Sequence, residues 1–246
     1  ALFSTASVAD AIKTIGLQRA TDPQTMTSLG FNPLLEYNGF ARSEGYFSIF
    51  QQRANQYARD FARKPRGLVH QATGSSPELD HLRAIIRSAA STGADTHLAI
   101  YPYHAQMLAM LEGVGLAPAF QQWKEILVEE VEAVRSDFPG ARIHLWDFSG
   151  YSQYQCEAIP EQGDTHSNTR WYWEAGHFKG ALGIIMLSRM LKGDPVEDGD
   201  FGFLLEPGTL AGNQVRIERE RAACVLSQPA MVRQARAMVQ RTLTQG

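Results

Sequence analysis

The chain has 246 residues, 44% hydrophobic and 20% charged, which is the composition of an ordinary globular protein with enough length for one large domain or two small ones. A net charge of −3, a pI near 6.2 and the lack of a dense Lys/Arg block exclude a general nucleic-acid binder. No apolar run reaches the ~18 residues of a membrane span, and no stretch reads as a signal peptide.

In chain order, Val8, Ala11, Ile12 and Ile15 share one face of a short helix over 7–15. The polar run 19–28 is a loop, and the turn-rich stretch 29–39 reads as an ordered loop with Phe31, Leu34 and Leu35 tucked inward. A helix over 46–63 buries Phe47, Phe50, Tyr57 and Phe61. Ser76-Pro77-Glu78 is a helix start, with Ser76 as N-cap and Pro77 at the first helical position, and Gly93 ends that helix. A strand over 97–101 stops at Pro102. Helices over 103–114 and 118–135 follow, the second with Phe120, Trp123, Ile126, Leu127, Val131 and Val134 on one stripe. Pro139-Gly140 breaks it before a strand over 143–148. This alternation predicts α/β architecture with parallel strands. Only a weak third strand is visible, at 68–71, against the about 5–6 strands of a mean sheet. Either the domain is mainly helical or its first strands lie in sequence upstream of Ala1, and the second is the expectation.

The stretch Arg170-Trp171-Tyr172-Trp173-Glu174-Ala175-Gly176-His177-Phe178-Lys179 precedes a helix reaching Leu191 that is apolar on nearly every face and so predicted to be buried. Glu174 and His177, three apart around this helix start, point to one side of the backbone. Ligands of open α/β sheets bind outside the carboxyl ends of the strands. Those ends supply Tyr103 and His104 after the first strand, and Asp147 and Ser149 after the second. Each has a structural alternative: a helix-dipole role for Glu174, a satisfied polar residue for His177, a helix-start contact for His104, a turn for Asp147. The tail reads as an acidic loop, a charged helix over 213–226 and a helix from Pro229 with Met231, Ala235, Met238 and Val239 along one side, together a solvated surface with a modest apolar stripe. Cys156 and Cys224 are too few for a disulfide framework, lack metal-ligand spacing and leave the redox compartment open. The chain divides into a helical segment over 1–66, an α/β core segment over 67–192 and a helical extension over 193–246.

Tyr-Pro-Tyr-His-Ala at 101–105, Trp-Asp-Phe-Ser-Gly-Tyr at 146–151 and Trp-Tyr-Trp-Glu-Ala-Gly-His-Phe-Lys at 171–179 resemble the C-terminal two-thirds of bacterial SGNH (GDSL-like) hydrolase-type proteins. The resemblance implies a three-layer, flavodoxin-like SGNH-hydrolase fold, incomplete here at its first strands. It also implies a serine esterase or acyltransferase acting on an O-acyl ester of a small molecule or envelope glycan. His177 would be the base and Glu174 the acid that orients it, with Glu in place of the usual Asp. Tyr103, His104, Asp147 and Ser149 would bind substrate. No cofactor, metal or nucleic acid is implied. Many such proteins carry an upstream membrane anchor, which would place this one at the periplasmic face of the inner membrane. The Gly-Asp-Ser-like block with the nucleophile is missing from these 246 residues, so the chain alone is expected to be inactive.

Two other classes remain open. Glu78 and His81 form a second Glu-x-x-His, a pattern used in paired form by di-iron sites. A non-catalytic binding or scaffolding domain that keeps the SGNH fold is the other.

Overall fold

The computed structural model describes residues 5–17, 35–62, 67–69, 76–192 and 201–245. In chain order the elements are α1 (Thr5–Leu17), α2 (Leu35–Ala62), α3 (Pro77–Thr92), β1 (Thr96–Ile100), α4 (Ala105–Gly113), α5 (Ala117–Asp137), β2 (Ile143–Asp147), β3 (Tyr172–Glu174), β4 (His177–Phe178), α6 (Gly180–Lys192), β5 (Phe203–Leu204), α7 (Leu210–Ser227) and α8 (Pro229–Gln245). The protein is mixed α/β and helix-rich. β1 and β2 pair in parallel, Thr96 opposite Ile143 through Ile100 opposite Asp147, with α4 and α5 forming the crossover between them. Both the pairing and the crossover follow the sequence expectation. The third strand of this sheet does not. It is β5, antiparallel on the far side of β2, whereas residues 67–69 have no regular structure and 70–71 lie outside the described residues.

Local chemistry accounts for the helix boundaries. Ser76 Oγ accepts from the Leu79 amide at 3.4 Å, Pro77 opens α3, and Gly93 closes it at φ 72°. That left-handed conformation lets the Gly93 N–H reach the carbonyls of Ala89 and Ala90, and glycine adopts it without steric cost. Glu78 and His81 are exposed in the first turn of α3, so this second Glu-x-x-His lies on a solvated face. α2 begins at Leu35, inside the stretch expected to be a loop, and bends at Gly45 (φ 77°), where a Cβ would strike the backbone of Asp164. Phe31 and Leu34 lie outside the described residues.

Alternation along the strands sorts the core. Ile100, Ile143 and Leu145 face α3 and α5, packing with Ile86, Leu127, Val128, Val131 and Val134. The opposite face carries His97, His144 and Trp146, all partly exposed. A second cluster joins α2, α4 and α8 through Phe50, Ala54, Ala58, Met107, Met110, Val232, Ala235 and Val239. Here the tail expectation is corrected: Met231, Ala235, Met238 and Val239 are buried core rather than a solvated stripe, because α8 lies directly against α4. Gly113 makes the approach possible, since a Cβ there would run into Val239. The α6 expectation is corrected in the other direction. Leu182 and Met186 are buried, but Ile184, Leu187 and Leu191 are 66%, 52% and 66% exposed. An all-apolar helix presents several faces, and only one of them meets a neighbour among the described residues.

Cys156 and Cys224 form a disulfide across 68 residues, joining the loop after β2 to α7. Closing a loop of that length removes denatured-state entropy equivalent to about 4 kcal/mol in the chain-entropy account. The double variant Cys156→Ser/Cys224→Ser should therefore melt about 10 °C below the wild type in calorimetry, and reductant should lower the wild-type Tm towards the same value.

Candidate functional site

The stretch 171–179, read from sequence as a helix start, is a hairpin. β3 and β4 pair antiparallel with Glu174 opposite His177 across the two-residue turn Ala175-Gly176. The two side chains meet across the ladder instead of up a helical turn. Gly176 is required by a close approach, because a Cβ there would overlap the Tyr57 hydroxyl.

Several hydrogen bonds fix this hairpin beside the carboxyl end of β1. Tyr172 Oη donates to the Pro102 carbonyl at 2.6 Å, and the His104 amide donates to the Ala175 carbonyl at 3.1 Å. The Glu157 carboxylate accepts the amides of Arg170, Trp171 and Tyr172, the last two at 3.1 Å. Burial still pushes the Glu157 carboxyl up, against those three amides. Lys179 Nζ donates to Tyr46 Oη at 2.8 Å and lies 4.4 Å and 4.5 Å from the Tyr46 and Trp173 ring centres. Burial brings its ammonium down to about 8.

At the turn, His177 Nδ1–H donates to Glu174 Oε1. Glu174 is fully buried, and Gly176 N–H donates to its Oε2 at 2.8 Å. Tyr57 Oη adds a longer bond to Oε1 at 3.4 Å. The His177 side chain is 50% exposed. With Nδ1 carrying the proton shared with Glu174, the neutral ring leaves Nε2 as an acceptor. The hydrogen bond to Glu174 raises the His177 pKa, opposed by burial and by the Arg53 cation. The pairing thus stabilises the fold at pH below the unfolded histidine value, and that contribution fades as pH rises through the raised folded value. Tyr101, whose hydroxyl accepts the Phe178 amide at 3.4 Å, is pushed by burial to about 12 and stays neutral. Among the described residues no serine or threonine hydroxyl hydrogen-bonds the His177 ring.

The other expected site residues fall elsewhere. His104 is buried and both ring nitrogens are engaged: Nδ1 accepts the Gln106 amide at 3.1 Å, capping α4, and Nε2–H donates to the Glu157 carbonyl at 2.9 Å. Burial takes its pKa down to about 4. A neutral, fully bonded imidazole with no exposed edge supports the hairpin and has no free nitrogen for substrate. Tyr103 is half-buried, its ring centre 4.8 Å from that of Tyr101. Asp147 and Ser149 belong to a buried polar cluster at the carboxyl end of β2. Lys124 Nζ donates to Asp147 Oδ2 and to Ser149 Oγ, both at 2.7 Å, while Asn213 Nδ2 donates to Asp147 Oδ2 and the Ser149 amide to Oδ1. Burial lowers the Lys124 pKa and Asp147 opposes the shift.

Lys124 and Ser149 line a cavity of about 890 Å³ together with Tyr151, Phe120, Arg221 and Arg236. A serine hydroxyl on a lysine amine is the pairing used by Ser–Lys hydrolases. Here the amine already donates to a buried carboxylate, and an ammonium has no lone pair with which to take a proton. The cavity has neither Glu174 nor His177 in its wall. The structure therefore separates the expected constellation into a hairpin dyad and a buried cluster facing a cavity.

Sequence reasoning attached no chemistry to Tyr57, Arg53, Glu157 or Lys124. Tyr57 and Arg53, four apart on one helix, and Lys124, a lone lysine beside an apolar stripe, were the available signals. Glu157 in an irregular loop had none. No protein-family model, curated protein or solved structure matches this chain.

Two measurements check this arrangement. Lys124→Ala strands the Asp147 carboxylate without its cation and should cost about 3–5 kcal/mol in denaturant unfolding. Gly176→Ala forces Tyr57 or the turn aside and should raise the solvent accessibility of Glu174, read as loss of the raised His177 pKa in NMR titration while the global fold persists.

Proposed function

We propose that the hairpin is the acid–base half of an ester-hydrolysing or acyl-transferring site of the SGNH type, in a domain with the three-layer organisation of that superfamily. The observation that carries this reading is the Glu174–His177 pair: a buried, multiply bonded carboxylate holding one nitrogen of a half-exposed imidazole. The parallel β1–β2 crossover with the hairpin at the carboxyl end of β1 supports it. The disulfide suits an oxidising compartment, which supports the periplasmic placement. An O-acyl ester on a small molecule or a glycan is the substrate class proposed.

In this reaction His177 Nε2 takes the proton of the attacking hydroxyl as that oxygen bonds to the ester carbonyl carbon. It returns the proton to the leaving alkoxide as the carbonyl–oxygen bond breaks. Glu174 holds the ring in the Nδ1–H tautomer and stabilises the imidazolium that forms between these steps. Such help contributes about 10²–10⁴-fold.

A second reading, a binding domain that keeps the fold without the chemistry, is favoured by the 890 Å³ cavity that excludes the dyad. Aryl-ester hydrolysis by the full-length protein discriminates between the two. His177→Ala should lose at least about 10²-fold in kcat/KM with its circular dichroism and Tm retained, and Glu174→Gln should lose less. The base must be neutral, so the acidic limb of the wild-type profile should lie above the ordinary histidine value of about 6.5. In Glu174→Gln it should move to lower pH. A wild type inactive on a series of acyl groups would hand the site to the binding reading, and a fully active His177→Ala would remove the Glu174–His177 pair from the mechanism.

A further inference from the structure

We infer that Asp95, His97 and His144 form a site for a divalent transition-metal ion of the zinc class, at the amino end of β1 and β2. This is the end of the sheet away from the Glu174–His177 pair. His97 and His144 are register partners on adjacent parallel strands, so their side chains leave the same face together, and their rings stack with centres 4.7 Å apart. Asp95 precedes β1 by one residue. Both Nε2 atoms face the same carboxylate oxygen: His97 Nε2 lies 3.4 Å from Asp95 Oδ1 and His144 Nε2 lies 3.3 Å from it. The ligand atoms of the three residues all lie within 4.8 Å of one another.

These separations exceed the usual hydrogen-bond range of about 2.7–3.2 Å. The two nitrogen–oxygen separations match the edges of a tetrahedral ion with bonds of about 2.0–2.1 Å, for which neighbouring ligand atoms stand about 3.3–3.4 Å apart, and the two nitrogens lie within 4.8 Å of each other. Arg142 Nε lies 3.5 Å from the other carboxylate oxygen, Oδ2, and Arg142 is also tied to the Gly93 carbonyl, so Oδ1 is the oxygen left for an ion. Asp95 is exposed and the histidines partly so, leaving room for water in the fourth position. Two imidazoles and a carboxylate suit zinc, cobalt, nickel or copper rather than magnesium or calcium.

Trp146 gives the site a built-in competitor. Its Nε1–H donates to His97 Nδ1 at 3.1 Å, which places the proton of the neutral ring on Nε2. An ion on Nε2 requires that proton to move to Nδ1, and the Trp146 hydrogen bond is then lost. Metal uptake and the indole bond exclude each other, so Trp146 both opposes binding and reports it.

The test is titration of tag-free, chelator-stripped protein with zinc chloride and with cobalt chloride, followed by calorimetry, Tm, cobalt absorption and tryptophan fluorescence. Wild type should take up a single equivalent, gain Tm reversibly to EDTA, show the visible band of tetrahedral cobalt and change its fluorescence. Asp95→Asn and His144→Asn, both at solvent-accessible positions, should each weaken binding by at least about tenfold. Trp146→Phe should bind about fivefold more tightly, the factor for one lost hydrogen bond. No saturable uptake by folded wild type, or uptake undiminished in both Asp95→Asn and His144→Asn, would overturn the site. Weaker binding by a folded Trp146→Phe would overturn the competition.

Discussion

The ion pair between Lys124 and Asp147 is the constraint on which the middle of the molecule depends. Both side chains are buried, and withdrawing each charge from water costs several kcal/mol. That cost is tolerable because both carboxylate oxygens are occupied: Oδ1 by the Ser149 amide, Oδ2 by Lys124 and Asn213. The donors come from β2's own exit, from α5 and from α7, so satisfying one carboxylate brings three segments together. Arg216 extends the network, donating to the Ser149 carbonyl, to Asn213 Oδ1 and to Glu220, whose carboxylate accepts the Tyr151 amide. The backbone just past β2 is thereby held from two sides, and with it the wall of the adjoining cavity. Glu112 closes another side of that cavity. Burial pushes its carboxyl up, but Arg221, Tyr151 and Arg236 together hold it down at about 2.

The hairpin follows the same logic on a smaller scale. A two-stranded ribbon is marginal by itself, so its position depends on what it is bonded to. Glu157 gathers the amides at its start, Tyr172 and His104 bind it to the chain leaving β1, and Lys179 pins its far end to α2. The Glu174–His177 geometry rests on this support. His104 matters because it is fully used: a neutral imidazole bonded at both nitrogens can bridge α4, the Glu157 carbonyl and the hairpin without a charge to solvate. Residues that looked like one site in the sequence thus divide into groups that present chemistry and groups that hold them in place.

The small sheet has two unlike ends and two unlike faces. Its carboxyl end is dense with buried polar bonds, whereas its amino end carries Asp95 and two stacked histidines in partial contact with solvent. One face is sealed by α3 and α5. The other carries His97, Ala99, His144 and Trp146, of which Ala99 is exposed. A parallel pair normally has both faces covered. Here the less covered face is where ionisable side chains project.

Local patterns determined a good deal without the fold. The Ser76-Pro77 start and Gly93 stop of α3, a strand over 97–101 ended by Pro102 (Thr96–Ile100 in the structure) and the stripe of α5 all depend on propensities within a few residues, and all are legible in the chain. The parallel pairing of two strands is long-range, and it is legible only through the helix–strand alternation. The meeting of Glu174 with His177 is legible too, although a hairpin rather than a helical turn brings it about. Spacing of three brings side chains together in a helical turn, and a two-residue hairpin does the same, so spacing alone cannot name the element. What tertiary structure decided was which distant side chains find one another. The stripe of α8 is core because α4 presents Gly113 to it, while the equally apolar face of α6 meets no partner among the described residues. Cys156 finds Cys224 across 68 residues, Lys124 finds Asp147 across 23, and Tyr57 finds Glu174 across 117. A residue's own neighbours set its backbone. Whether its charge, thiol or methyl group is paired is set by segments that come close only when the whole chain has packed.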